Sequence, residues 1–157
     1  MENPAGNGAA VVQPGQQVDW LAYHLGKLPQ LHLPLVHRFT PGLYIRQIFM
    51  PAGSVVVSRV HKTAHPFVVS QGRAAVWSED TGVQELAAPF TGITTPGTRR
   101  VLVIYEDCVW TTFHPTNETD LDKLQEELTT TPDVSYIGQM PEEFQSLLSH
   151  ASGKEVC

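Results

Sequence analysis

Seven histidines lie along this chain of 157 residues: His24, His32, His37, His61, His65, His114 and His150. Three of them stand at the ends of runs with strand character. His61 closes the Val-rich run after Gly53, His65 opens the next run, and His114 ends Trp110-Thr111-Thr112-Phe113-His114. An imidazole at such a place can ligate a metal, move a proton or simply hydrogen-bond at a strand end. Arginines accompany them. If Arg59, Arg99 and Arg100 line a barrel mouth rather than the outer surface, they favour an anionic ligand such as a carboxylate or phosphate. Trp110, Thr112 and His114 share one strand face by alternation, so Trp110 would wall the same space or sit in the core with Trp77. Tyr44 and Arg46 are further candidates for that cavity. No Ser-His-Asp order, phosphate loop or paired-carboxylate spacing occurs, which argues against hydrolase and kinase chemistry.

The elements that must position these residues are short and β-like. Between Leu43 and His114, runs rich in Val, Ile, Tyr, Phe and Trp alternate with turn residues about every ten positions. The expected strands are 43–49, 54–61, 65–70, 73–78, 83–87, 90–94, 100–105 and 109–114. Turns are expected at Pro51-Ala52-Gly53, Gln71-Gly72, Asp80-Thr81-Gly82 and Pro96-Gly97, with a tight hairpin at Glu106-Asp107. Glu79 and Asp80 should be solvated in their turn. Eight short strands without intervening helices predict an all-β antiparallel sandwich or barrel.

The flanks differ in character. Residues 1–17 are rich in Gly, Pro, Ala, Asn and Gln and predict a flexible arm. Val18, Leu21, Ala22 and Leu25 predict a short helix over 18–28, stopped by Pro29. Residues 29–42, with Pro29, Pro34 and Pro41, predict a winding connector. Past the barrel at 43–116, residues 117–157 predict helices and a loose tail. Thr119 is the expected N-cap of the first helix, with Leu121, Leu124 and Leu128 facing the barrel, and a second helix is expected after Pro141.

Composition narrows the classes. The formal net charge is −6, and the ten Lys and Arg residues form no run, so nucleic-acid binding by a basic patch is not expected. No apolar stretch approaches bilayer length and the N-terminus does not read as a signal peptide, so the expected setting is the cytoplasm. Cys108 and Cys157 predict no structural disulfide. Asn117-Glu118-Thr119 matches a glycosylation sequon, which carries no weight without secretion.

From Gly53 to Arg100 the chain resembles the cupin superfamily. Gly53-Ser-Val-Val-Val-Ser-Arg59-Val-His61-Lys-Thr-Ala-His65-Pro-Phe-Val-Val-Ser-Gln-Gly72 resembles the first cupin motif. Anchored on Gly72, His65 takes the glutamate position, His61 the second histidine position and Arg59 the first. Gly92 to Arg100 resembles the second motif loosely, with Arg100 where its metal-binding histidine would stand. Two of the four usual ligand positions are thus arginine, which keeps its proton and does not ligate. The stretch 51–128, in particular His61-Lys62-Thr63-Ala64-His65 and Val109 to Thr116, is also similar to small cupin-like proteins of bacteriophages and prophages.

The resemblance implies a cupin-type antiparallel barrel or jelly roll. With a hairpin at Glu106-Asp107, His114 would lie opposite Arg99 or Arg100 and replace the missing ligand. His61, His65 and His114 would then hold a divalent transition metal (Fe, Mn, Ni or Zn), with Arg59, Arg100 and Trp110 contacting a small, possibly anionic molecule. Exposed sheet edges predict a homodimer or higher oligomer. Two other readings stay open: an assembly module, for instance a phage particle component contacting other virion proteins, and a metal-free barrel binding a sugar or acid.

Overall fold

The computed structural model describes residues 14–130. The elements in order are α1 (Pro14–Leu25), β1 (Leu35–Thr40), β2 (Leu43–Met50), β3 (Val55–Val57), β4 (Val60–His61), β5 (His65–Ser78), β6 (Gly82–Ala87), β7 (Phe90–Thr94), β8 (Arg100–Pro115), α2 (Leu121–Leu128) and β9 (Thr129–Thr130). Every strand pairing is antiparallel. Seven strands form one sheet in the order β1-β2-β8-β5-β6, with β3 also on β8 and β7 on β5, while β4 and β9 form a second, small sheet. The result is an antiparallel jelly-roll barrel, as expected, with one short helix before it and one after it among the described residues.

Its centre is a pair of long strands where four short ones were expected. β5 runs through Gln71-Gly72, and β8 runs through Glu106-Asp107, so neither pair turns a hairpin. The two irregular points oppose each other. Gly72 has φ +89°, and a Cβ there would lie 2.3 Å from the Asp107 carbonyl oxygen, so only glycine fits. The β5–β8 register slips between Val69 and Ala74. Across this bulge the inward face of β5 changes parity: Phe67 and Val69 share one core cluster with Ala74 and Val76, opposite Leu102, Ile104, Cys108 and Trp110 of β8.

The other face of the same strands carries Ala75, Trp77, Val101 and Val103, which pack against Val18 and Leu21 of α1. This helix starts at Pro14, inside the expected arm, and ends at Leu25 rather than Leu28. Proline is well suited to a first helical turn, where its missing N–H costs nothing. Asp19 of α1 and Arg99, each 12% exposed at the side chain, form an ion pair that pins the helix to the β8 entry.

The expected connector contains β1. Its prolines bracket the strand rather than prevent it: Pro34 precedes Leu35, and Pro41-Gly42 turns the chain into β2, with Gly42 at φ +77°. At the other end, Asp120 rather than Thr119 caps α2, accepting from the backbone N–H groups of Asp122 and Lys123 at 3.0 and 3.1 Å. Leu124 and Leu128 bury against Tyr44, whereas Leu121, expected inward, is exposed because the helix meets the barrel only beyond its first turn. The arm over 1–13, the helix expected after Pro141 and Cys157 lie outside the described residues.

Candidate functional site

Antiparallel register turns the strand sequences into rows on the inner wall. Ile48, Trp110, Val69 and Phe90 are aligned across β2, β8, β5 and β7. One step along, Arg46, Thr112, Phe67 and Gly92 are aligned in the same way. A further step brings Tyr44 opposite His114 and His65 opposite Thr94. The wall thus passes from apolar to polar over three rows, and its polar end is closed by Leu124 and Leu128 of α2 packing on Tyr44. Gly92 has a steric duty here, since a Cβ would stand 2.6 Å from the Phe67 ring.

His61 joins from β4, which is held by backbone bonds from His61 N–H to the Thr98 carbonyl and from Gly97 N–H to the His61 carbonyl, 3.0 and 2.7 Å. The three histidines singled out in the sequence come together. Ring centroids are 4.8 Å apart for His61 and His65 and 4.2 Å for His65 and His114. The route to this gathering differs from the expected hairpin: His114 faces Tyr44 on β2, and Arg100 lies at the far end of the same strand, β8.

Second partners set the tautomers. His65 Nδ1 lies 3.1 Å from the Thr63 carbonyl, which only accepts, so Nδ1 carries the proton and Nε2 the lone pair. The Thr112 hydroxyl donates to the Arg46 carbonyl at 3.4 Å and so accepts from His114 Nε2–H at 2.9 Å, leaving the lone pair on Nδ1. His61 Nδ1, His65 Nε2 and His114 Nδ1 are all buried without a hydrogen-bond partner. Burial keeps the rings neutral: the pKa of His61 falls to about 4 and that of His114 to about 3, with neighbouring histidines and arginines adding to the effect. His65 is lowered by burial as well, partly opposed by its bond to Thr63.

Two arginines approach the same group. The Arg100 guanidinium lies 5.1 Å from the Phe67 ring centroid and 6.0 Å from that of Trp110, and donates to Thr94 Oγ1 at 3.0 Å. Phe67 and Trp110 are themselves stacked at 4.5 Å. Arg46 acts electrostatically on His61 and His114, and Arg100 on His61 and His65. Burial lowers the pKa of both arginines. Among the described residues, arginine ion pairs join Arg73 to Glu85 and Glu106, and Arg99 to Asp19; none involves Arg46 or Arg100.

Arg59 stands elsewhere. It is exposed at the β3–β4 link, where the Gln125 carbonyl oxygen, in the amide orientation that satisfies both groups, accepts from its two terminal nitrogens at 2.8 and 3.1 Å. Arg99 belongs to the α1 anchor. His37, given no role from the sequence, meets the Tyr44 hydroxyl through Nδ1 at 2.7 Å, and Tyr44 stacks on His114 with centroids 5.6 Å apart. His37 and Arg46 pair across β1–β2, a contact that the sequence concealed because β1 was not expected.

The donor set fits a transition metal: three neutral imidazoles, each with one buried nitrogen that has no hydrogen-bond partner, and oxygens of Thr63 and Thr112 that set the tautomers of two of them. Two imidazoles on one ion, with metal–nitrogen bonds of about 2.0–2.1 Å, would have centroids roughly 4.5 Å apart at right angles and roughly 5.2 Å apart at the tetrahedral angle. His61 and His65 fall within that range, and His65 and His114 stand closer than it. Among the described residues, no group of three or more His, Cys, Asp or Glu side chains stands in a preformed metal-holding arrangement, so ligation would require the rings to turn about their side-chain torsions. No described helix is long and apolar enough to cross a membrane.

No protein-family model matches the chain, and no curated protein matches it. Solved structures resemble it in shape. A salicylate 1,2-dioxygenase from Pseudaminobacter salicylatoxidans aligns over 69% of this chain and 32% of its own, with 13% identity and a TM-score of 0.50. A cupin-2 domain protein from Shewanella frigidimarina aligns over 61% of this chain and 92% of its own, at 13% identity and a TM-score of 0.43. The cupin domain of Schizosaccharomyces pombe Cnp3 aligns over 66% and 71%, at 17% identity and a TM-score of 0.46. The likeness is one of fold alone.

Proposed function

We propose that this chain is a metal-binding cupin that holds a small molecule beside its metal, with His61, His65 and His114 as the protein ligands. The observation that carries the reading is the set of three buried imidazole nitrogens, one per ring, left without partners at one end of the barrel. A buried polar atom without a partner costs about 1–3 kcal/mol, and three together point to a ligand that satisfies them. Thr63 and Thr112 set which nitrogen of His65 and His114 carries the lone pair, and burial keeps all three rings uncharged at neutral pH. Fe, Mn, Ni or Zn would suit the donors. When bound, the ion supplies a Lewis-acid or oxygen-activating centre. Trp110 and Phe67 then wall the space, and Arg100 orients an anionic group from above their rings. The test is metal content in folded His61→Ala and His114→Ala proteins: loss in either supports the reading, and unchanged content in both ends it.

A second reading, a self-associating assembly module, draws on a separate surface. The edge strand β1 exposes Leu35, Val36 and Phe39, and Leu28 and Leu31 just before it are exposed too. Such an edge favours pairing with a second copy. Light scattering on the full chain and on Val36→Lys protein tests this: a wild-type oligomer that falls to monomer in the variant supports it, and a monomer in both removes it.

A further inference from the structure

We propose that Arg46 and Arg100 form a two-armed clamp for a small dicarboxylate, seated against the three histidines. The inference deepens the reading above, because it names the class of molecule held at that same site. It starts from charge. Both guanidinium groups are drawn out of water far enough for burial to oppose their charge, yet neither has a carboxylate partner among the described residues, whereas Arg73 and Arg99 do. The surrounding histidines are neutral and add no anion, so among the described residues no carboxylate pairs with either of the two positive charges on the inner wall. Partly buried unpaired charge is costly, and its usual resolution is a bound counter-charge.

Geometry places both arms on one wall, beside His61. Arg46 and Phe67 share a row with Thr112 between them, so their backbones are two strand spacings, roughly 10 Å, apart. The Arg100 guanidinium lies over Phe67, and both arginines act electrostatically on His61. Arg100 is fixed from below by the stacked Phe67–Trp110 pair and from the side by Thr94, which leaves its remaining N–H donors for a ligand. Two planar donor forks select planar, bidentate acceptors, and carboxylates match that shape better than tetrahedral anions do. Two charges call for two carboxylates. A monoanion would leave one arm unmatched.

The test uses the full chain treated with chelator, malonate as the dicarboxylate, and acetate and inorganic phosphate as competitors of other classes, read by titration calorimetry. Malonate is expected to bind more tightly than acetate or phosphate, with Arg46→Gln and Arg100→Gln each weakening it on the order of 10- to 100-fold. Because Arg100 packs on aromatic rings, Arg100→Lys is measured alongside: it keeps the charge, loses the fork and should bind malonate at an intermediate strength. Absence of malonate binding, equal affinity in wild-type and both Gln proteins, or phosphate binding more tightly than malonate would each overturn the clamp. The metal reading fails or stands separately, on the metal content of the same preparations before chelation. Malonate binding without metal uptake would keep the clamp and discard the metal, and metal uptake without malonate binding would do the reverse.

Discussion

Treated with chelator, the protein should lose stability steeply as pH falls from 7 to 5. The cause is the buried histidine cluster. In the unfolded chain each ring takes up a proton near pH 6.5, whereas in the folded chain His61 waits until about 4 and His114 until about 3. The folded pKa values are depressed for bases, so the stability is complete above the unfolded value and is lost as pH drops toward the folded ones. Below pH 6.5 the unfolded state binds the extra protons. Integrating that difference from pH 7 to 5 gives about 2 kcal/mol for each of the two rings, or about 3–4 kcal/mol together. His65, lowered in the same direction, adds to the loss. Against a usual domain stability of roughly 5–15 kcal/mol this is a large share. The assay is urea unfolding at pH 7, 6 and 5 for wild-type, His61→Gln and His114→Gln proteins. Each variant should lose about 2 kcal/mol less than wild type over the interval, because the other acidic and basic groups are common to all three. Equal losses in wild type and variants would refute the burial of neutral rings on which the site rests.

Two further outcomes follow from the scaffold. Gly72→Ala should cost at least 2–3 kcal/mol in urea unfolding, since the new Cβ meets backbone atoms of Asp107 and Cys108 at 2.3–2.8 Å and φ is +89°; a change under about 0.5 kcal/mol would contradict the bulge. Asp19→Ala should cost about 1–3 kcal/mol by leaving the half-buried Arg99 without its counter-charge, whereas Asp19→Leu with Arg99→Met together should recover most of that loss; a double variant as unstable as the single one would contradict it.

The jelly-roll barrel and the three histidines were legible in the sequence because period-two alternation and strand-end positions survive without knowledge of pairing. The bulge was not. Gln71-Gly72 and Glu106-Asp107 carry the composition of turns, but Gly72 is needed for its missing Cβ against Asp107, and the Asp107 carboxylate accepts from Ala52 N–H at 2.9 Å. Composition cannot separate a residue that turns a chain from one that lets two strands slip past each other. The parity change in β5 then puts Phe67 and Val76 on one face, a pairing that no single alternation pattern contains. Arg46 was visible as an inward position of the first expected strand, but its weight comes from lacking an anionic partner, and Arg59, equal to Arg100 in motif terms, is exposed near Gln125. Such differences lie in tertiary contacts, not in spacing.

Metal binding by His61, His65 and His114 is tested by elemental analysis of untagged protein, purified without chelator and measured beside a His61/His65/His114 triple-alanine variant. Close to one transition-metal ion per chain is expected in the wild type and none in the variant. Absence of metal from both, even after incubation with Fe, Mn, Ni and Zn salts, would contradict it.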